Sequence, residues 1–253
     1  LPSATIAAGS PIPPRPEDLV FAPLSFTPPS AKDFRSTLAD GTPVYMAPSR
    51  EFPLVTVSVS FKGGAYLDPV EIPGLAAMTA VMMRAGGTEK LAPADLDEEL
   101  DFLASRVSVG ARGTTATATL NTLSSNLDRS LELFLAILRS PRFDGDRLDV
   151  QRNIGLEGLK QRNDSADAIL DREWTALMFG RDHFEAREPT SATLERVTQD
   201  ALRSMHRRMF HPGNMIIAVS GDFDPAAMKT RLERALDGWQ RGETIPDPPA
   251  PTA

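Results

Sequence analysis

Histidine is scarce in this chain, and its spacing does not favour a metal site. The three histidines are His183, His206 and His211. Two imidazoles share one face of a helix when they stand about four residues apart, and no pair here has that spacing. Pro212 is expected to end the helix ahead of His211. We therefore predict one surface histidine and two in loops or at helix ends.

The carboxylates and serines give no stronger signal for catalysis. A run of carboxylates crowds one predicted helix, which is typical of a solvated face; its members are Asp95, Asp97, Glu98, Glu99 and Asp101. Glu157 lies in an apolar helical pattern and is a weaker candidate for a buried group. The sequence contains no Gly-x-Ser-x-Gly elbow, no Gly-x-Gly-x-x-Gly loop and no Walker loop. These residues alone leave the function open.

Composition limits the classes of protein that the chain can belong to. Of its 253 residues, 41% are hydrophobic and 24% are charged, which is typical of a globular protein with a sizeable core. The net charge of -7 argues against a nucleic-acid partner, because phosphates would be repelled. Without cysteine, disulfides and thiolate metal sites are excluded. No apolar run reaches the roughly 18 residues that a membrane span needs.

Proline-rich segments flank the part of the chain that is expected to fold. Eight of the 22 prolines fall within residues 1–30, which we interpret as an extended arm or linker. A single domain is predicted at 31–241, followed by a proline-rich tail at 242–253. This arrangement favours a piece of a longer chain, with ragged termini as the alternative. No signal peptide is recognisable, and a signal already removed is left open.

The candidate residues must be positioned by a mixed set of strands and helices. Strands are predicted at 42–46, 54–61, 107–111, 114–123 and 215–220. Helices are predicted at 73–84, 93–105, from Ser124 or Ser125 to Pro141, 146–162, 166–179, 199–209 and 225–239. The helix at 73–84 is apolar nearly all round and is expected to be buried. The order predicts an α+β fold, with a mostly antiparallel sheet and helices packed on one face.

The order of several short motifs is more specific than any one of them. Gly74-Leu75-Ala76 opens a helix that closes at Gly86-Gly87-Thr88. The other matching segments are Leu38 to Val44, Gly63-Gly64, Ser140 to Phe143, Phe210 to Met215 and Val219 to Phe223. Over about residues 38–239 the chain resembles the pitrilysin/insulinase family of zinc metallopeptidases, the inverzincins, which includes the mitochondrial processing peptidase. The resemblance implies the metalloenzyme fold of LuxS and the processing peptidase.

The same resemblance implies that the zinc chemistry is lost. The family's H-x-x-E-H motif holds zinc with two histidines and supplies a glutamate as base. Here Ala77, Ala80 and Val81 occupy those three positions. The third ligand of the family, a glutamate, falls on Gly158, with Glu157 one position early. We therefore expect no metal in this chain, and zinc only in an active partner.

The resemblance also implies a role without catalysis. In kind, the chain looks like the non-catalytic subunit of the processing peptidase, although that subunit's glycine-rich loop has no counterpart here. It implies a second homologous domain and an active H-x-x-E-H half as partners, in the same chain or another subunit. An extended peptide would add to the strand formed by Val107, Ser108, Val109, Gly110 and Ala111.

Two other functions and two cellular locations stay open at this point. The chain could instead be a stand-alone scaffold that binds peptides or proteins. A hydrolase, including an active zinc-dependent endopeptidase, is the third reading, and it would need other residues to supply the chemistry. Because bacterial relatives often act in the periplasm, a periplasmic location is expected, with the cytoplasm as the alternative.

Overall fold

The computed structural model describes Arg15 and residues 26–249. The chain divides into two compact units, Leu1–Asp33 and Phe34–Ala253. Most of the predicted arm at 1–30, and the last four residues of the predicted tail, lie outside the described residues. The second unit contains a sheet and the helices that cover it.

The sheet has six strands in the order β1-β2-β6-β3-β5-β4. Their bounds are β1 Arg35–Thr37, β2 Pro43–Pro48, β3 Leu54–Lys62, β4 Arg106–Arg112, β5 Thr115–Leu123 and β6 Met215–Gly221. Among the described strands β2 and β6 run parallel, and the other neighbouring strands are antiparallel. The mostly antiparallel α+β sheet predicted from the sequence is thus confirmed.

Eight helices connect and cover these strands in the described part of the chain. They are α1 Leu75–Ala85, α2 Pro93–Phe102, α3 Leu127–Arg139, α4 Gly145–Gln161, α5 Ala166–Phe179, α6 Ser191–Glu195, α7 Gln199–Met209 and α8 Pro225–Leu236. Within the described residues, no helix is both long and apolar enough to cross a bilayer.

One face of the sheet carries the core. Along β3 the residues Val55, Val57, Val59 and Phe61 are buried, while the side chains between them are partly exposed. The strands β5 and β6 show the same alternation. Since side chains alternate between the two faces of a strand, the helices must pack on the face that these valines share.

The structure departs from the sequence-based expectations at five places. The short strand β1, the helix α6 and the parallel pairing of β2 with β6 were not predicted. The predicted serine cap of α3 is wrong, because Asn126 takes the N-cap position and its side chain makes no capping bond. Packing continues beyond residue 241, since Ile245 is 5% exposed and belongs to the core.

Candidate functional site

The helix α1 holds the three positions at which the family resemblance places zinc-binding and catalytic residues. Ala77 and Val81 are one turn apart and both are exposed, Val81 by 40%. Ala80 lies between them in sequence but is fully buried. The helix therefore exposes two alkyl side chains on one face, and the prediction that it is buried on all sides is wrong.

The start of α1 is fixed by a buried carboxylate. The backbone N–H groups of Gly74 and Ala76 donate to Asp68 Oδ2 and Oδ1, each at 2.7 Å. These are helix-terminal donors that have no partner within the helix. Burial raises the pKa of Asp68 from 3.8 to about 6, and the two hydrogen bonds and the charge of Arg187 only partly oppose that rise. Sequence reasoning missed Asp68, whose only signal is its place six residues before Gly74.

The raised pKa of Asp68 should appear in the pH dependence of the unfolding free energy when the wild type is compared with Asp68→Asn. The raised pKa means that, between about pH 6 and 3.8, the folded protein binds a proton that the unfolded chain does not. The wild type should therefore gain stability over Asp68→Asn as the pH falls from 7 to 4.5. Urea unfolding of both proteins across this range measures the difference.

Two buried histidines also make stability depend on pH, and the comparison with Asp68→Asn cancels their contribution because both proteins contain them. Burial lowers the pKa of His206 and of His211, so the unfolded chain takes up protons first and stability falls below about pH 6.5 in both proteins. A stability difference that shrinks on acidification would mean that the carboxylate's hydrogen bonds outweigh its burial. At pH 7 the amide loses one acceptor oxygen of two but carries no charge to desolvate, so Asp68→Asn should change stability there by less than about 1 kcal/mol.

The position of the third zinc ligand offers no donor either. Gly158 is exposed on α4, and a Cβ built there would meet no atom within 4 Å. Glu157 is also exposed and pairs with Lys160 at 2.7 Å. No group of three histidine, cysteine, aspartate or glutamate side chains is arranged to hold a metal among the described residues. Alkyl groups cannot bind zinc, so the residues at 77, 81 and 158 do not fit the ion.

The three histidines are placed apart from one another in structural roles. His206 is buried on α7 and donates from Nε2 to the Leu138 carbonyl oxygen at 2.7 Å. His183 stacks on Phe179 with ring centroids 5.1 Å apart. His211 is buried at the start of a short turn. The predicted surface histidine is His183, which is half-buried, and none of the three belongs to a group of side chains that could hold a metal among the described residues.

The strand predicted to receive a peptide lies at the edge of the sheet. β4 pairs with β5 through registers such as Val107↔Leu120, and no other described strand pairs with it. Val107 is buried and Val109 and Ala111 are half-buried, whereas Ser108 and Gly110 are exposed. Because α1 packs against β4, the alkyl face of α1 lies beside this free edge.

A cavity of about 290 Å³ lies where the start of α1 meets the end of β4. Ala77 lines it from the helix, and Ala111, Arg112 and Gly113 line it from β4 and its turn. A later segment closes it with Phe184, Glu185, Arg187 and Pro189. No local sequence pattern predicts this cavity, since its walls come from three separate segments, within residues 65–77, 111–113 and 184–189.

Comparison with known families agrees with this geometry. Residues 45–188 match the family described as insulinase (peptidase family M16), and residues 196–253 match the peptidase M16 inactive domain. The chain is 21% identical over 207 residues to the "non-peptidase homolog YmxG" of Helicobacter pylori, covering 81% of this chain and 48% of that protein. It is 31% identical over 105 residues to an uncharacterized zinc protease of Mycobacterium leprae, covering 40% of this chain and 23% of that protein.

Solved structures show the same fold. A peptidase M16 inactive domain from Pseudomonas fluorescens superposes with a TM-score of 0.80 at 22% identity, over 86% of this chain and 53% of that one. The periplasmic protease PqqL of Escherichia coli gives 0.73 at 12% identity, over 86% of this chain and 24% of PqqL. The match thus covers about half of the YmxG protein and of the Pseudomonas fluorescens chain, at 48% and 53%, and about a quarter of the other two relatives. The chain belongs to the insulinase family of peptidases, as an inactive member that lacks the metal-binding side chains.

Proposed function

We propose that the chain is the non-catalytic domain of a zinc metallopeptidase assembly, in which it shapes the peptide-binding chamber and partners an active half. One observation carries the proposal: α1 packs against the edge strand β4, while positions 77, 80 and 81 hold only alkyl groups. A scaffold without donors can bind a peptide but cannot activate water. The zinc would belong to the partner half, in the same chain or in another subunit.

The edge strand supports peptide binding. An extended peptide that adds beside β4 would gain backbone hydrogen bonds, which depend little on its sequence. The side chains at Val107, Val109 and Ala111 point toward the helices, so alternate peptide side chains would lie on the side of α1. Ser108 and Gly110 leave the opposite side uncrowded.

A second surface supports a partner domain. The helix α5 has no buried residue. Its apolar side chains form one stripe with exposed fractions of 63% for Leu170, 58% for Trp174, 76% for Leu177 and 57% for Met178. Contiguous apolar surface of this kind marks interaction sites in soluble proteins. Because the relatives are about twice as long as this chain, we propose that a second homologous domain covers the stripe.

Binding to a partner tests the assembly. The chain should bind, in a pull-down with purified proteins, a homologue from the same genome that carries H-x-x-E-H. Trp174→Glu should weaken this binding at least about ten-fold, because an aromatic anchor is lost and a charge is buried. Ala168→Glu is the matched control, since it adds the same charge to an exposed position on the other side of α5. Failure to bind any such homologue, with peptide binding retained, would favour the stand-alone scaffold.

Peptide binding is tested separately by fluorescence anisotropy. Extended peptides should bind the isolated chain, and N-methylation of alternate residues should abolish binding in one register but not in the other. The chain alone should hydrolyse none of them, with or without added zinc. Hydrolysis that a chelator stops would contradict a non-catalytic role.

We further propose that the chain acts in the periplasm. The support is the neighbour PqqL, which is described as a periplasmic protease. Fractionation of cells that express the full-length gene tests this location.

A further inference from the structure

The cavity at the start of α1 owes its opening to the alanine at position 77. The Ala77 methyl group forms part of its wall and is exposed to it. A longer side chain on the same Cα, such as the histidine found at this position in active members of the resembled family, would extend into that space. Loss of the metal ligand therefore leaves a recess beside the edge strand.

The charges around the cavity favour neither a cationic nor an anionic ligand. Arg112 and Arg187 line it together with Asp68 and Glu185, two of each sign. Asp68 is already engaged by the backbone of α1. The rest of the wall is apolar or carries no side-chain charge; its members are Ala65, Pro73, Gly74, Ala77, Ala111, Gly113, Phe184 and Pro189.

The size of the cavity fits one large side chain. Its volume of about 290 Å³ is at the lower end of ligand sites, which run from roughly 300 to 1,000 Å³. Phe184 lies in the wall with its ring packed against Tyr66 and His183, and a further ring added to such an aromatic cluster gains stability beyond the area that it buries. An aromatic ring from a ligand would fill this volume and contact the alanine and proline side chains of the wall, which a small polar group would not.

We infer that this cavity is a specificity pocket for one aromatic side chain of an extended peptide bound along β4. The inference rests on the peptide binding proposed above. Ala111 points toward the helices at the end of β4 and also lines the cavity. Alternate residues of an added strand point to the same side, so one of them reaches the cavity while its neighbours pass along α1.

Peptide pairs that differ at one position test the pocket. A Ser/Val host peptide with a single phenylalanine should bind the wild-type chain about ten-fold more tightly than the same peptide with alanine, as measured by anisotropy. Ala77→Phe fills the cavity and should remove this preference. Since Ala77 is exposed, the variant should fold, and circular dichroism checks this. Ala94→Phe, at an exposed position on α2 outside the cavity, is the control and should keep the preference.

The possible outcomes separate the pocket from the proposed function. Equal binding of the phenylalanine and alanine peptides to the wild type would overturn the pocket and leave peptide binding intact. A preference that persists in Ala77→Phe would place the selectivity elsewhere and also overturn the pocket. No binding of any peptide would remove the proposed function together with the pocket.

Discussion

Replacing Ala80 by glutamate, the residue that serves as base in the resembled family, is expected to destabilise the domain by about 3 kcal/mol. Ala80 is 0% exposed and belongs to the core formed by α1 and the sheet. A carboxylate there must either lose its water or take up a proton, and both cost free energy. Burial would raise the pKa of the new glutamate, so the loss should be larger at pH 8 than at pH 5.

Histidines at the two exposed positions provide the matched comparison. Ala77→His and Val81→His should each change the free energy of unfolding by less than about 1 kcal/mol, because both side chains point out of the core. Together they stand one turn apart and should bind zinc weakly. The triple variant, which combines Ala77→His, Ala80→Glu and Val81→His, should still hydrolyse no peptide. Gly158 supplies no third zinc ligand.

Urea unfolding and a peptide-hydrolysis assay measure these effects. A cost below 1 kcal/mol for Ala80→Glu, independent of pH, would mean that the glutamate reaches solvent through the neighbouring cavity. Zinc-dependent hydrolysis by the triple variant would contradict the proposal, because it would show that this chain can form a catalytic zinc site without an active partner half.

Two glycine-to-alanine substitutions are expected to have opposite effects on stability. Gly221→Ala should cost about 3 kcal/mol or more, because the residue has φ +115° and a Cβ would lie 2.0 Å from the Leu54 carbonyl oxygen. Gly221 ends β6 at the point where it pairs with both Pro48 of β2 and Val55 of β3. The substitution would separate the two halves of the sheet.

Gly158→Ala should instead stabilise the domain by about 0.5–1 kcal/mol. The position lies within α4, is exposed and has no neighbour within 4 Å of a built Cβ. Alanine loses less backbone entropy than glycine in a helix, and nothing obstructs its methyl group. Thermal unfolding of both variants and the wild type measures the two stability changes, which should be opposite in sign. A destabilising Gly158→Ala would indicate that Gly158 contacts a part of the assembly outside the described residues.

Much of the fold follows from local sequence patterns. The alternation in residues 54–61 predicts β3, and the bounds of α5 and α7 agree with their predicted ranges. The parallel pairing of β2 with β6 could not be predicted, because it joins residues about 170 positions apart and no local pattern records it. The chain's family membership was predictable because short motifs kept their order.

The sequence alone predicts the loss of zinc chemistry, since alanine, valine and glycine carry no side-chain donor for zinc in any fold. Which of these positions is exposed was decided only by tertiary packing. The helix pattern is apolar nearly all round, so hydrophobicity does not distinguish Ala80, covered by the core, from Ala77, which faces a cavity. The cavity itself arises because α1, the end of β4 and the segment around Phe184 meet in space, and distant segments meet only when the whole domain is packed.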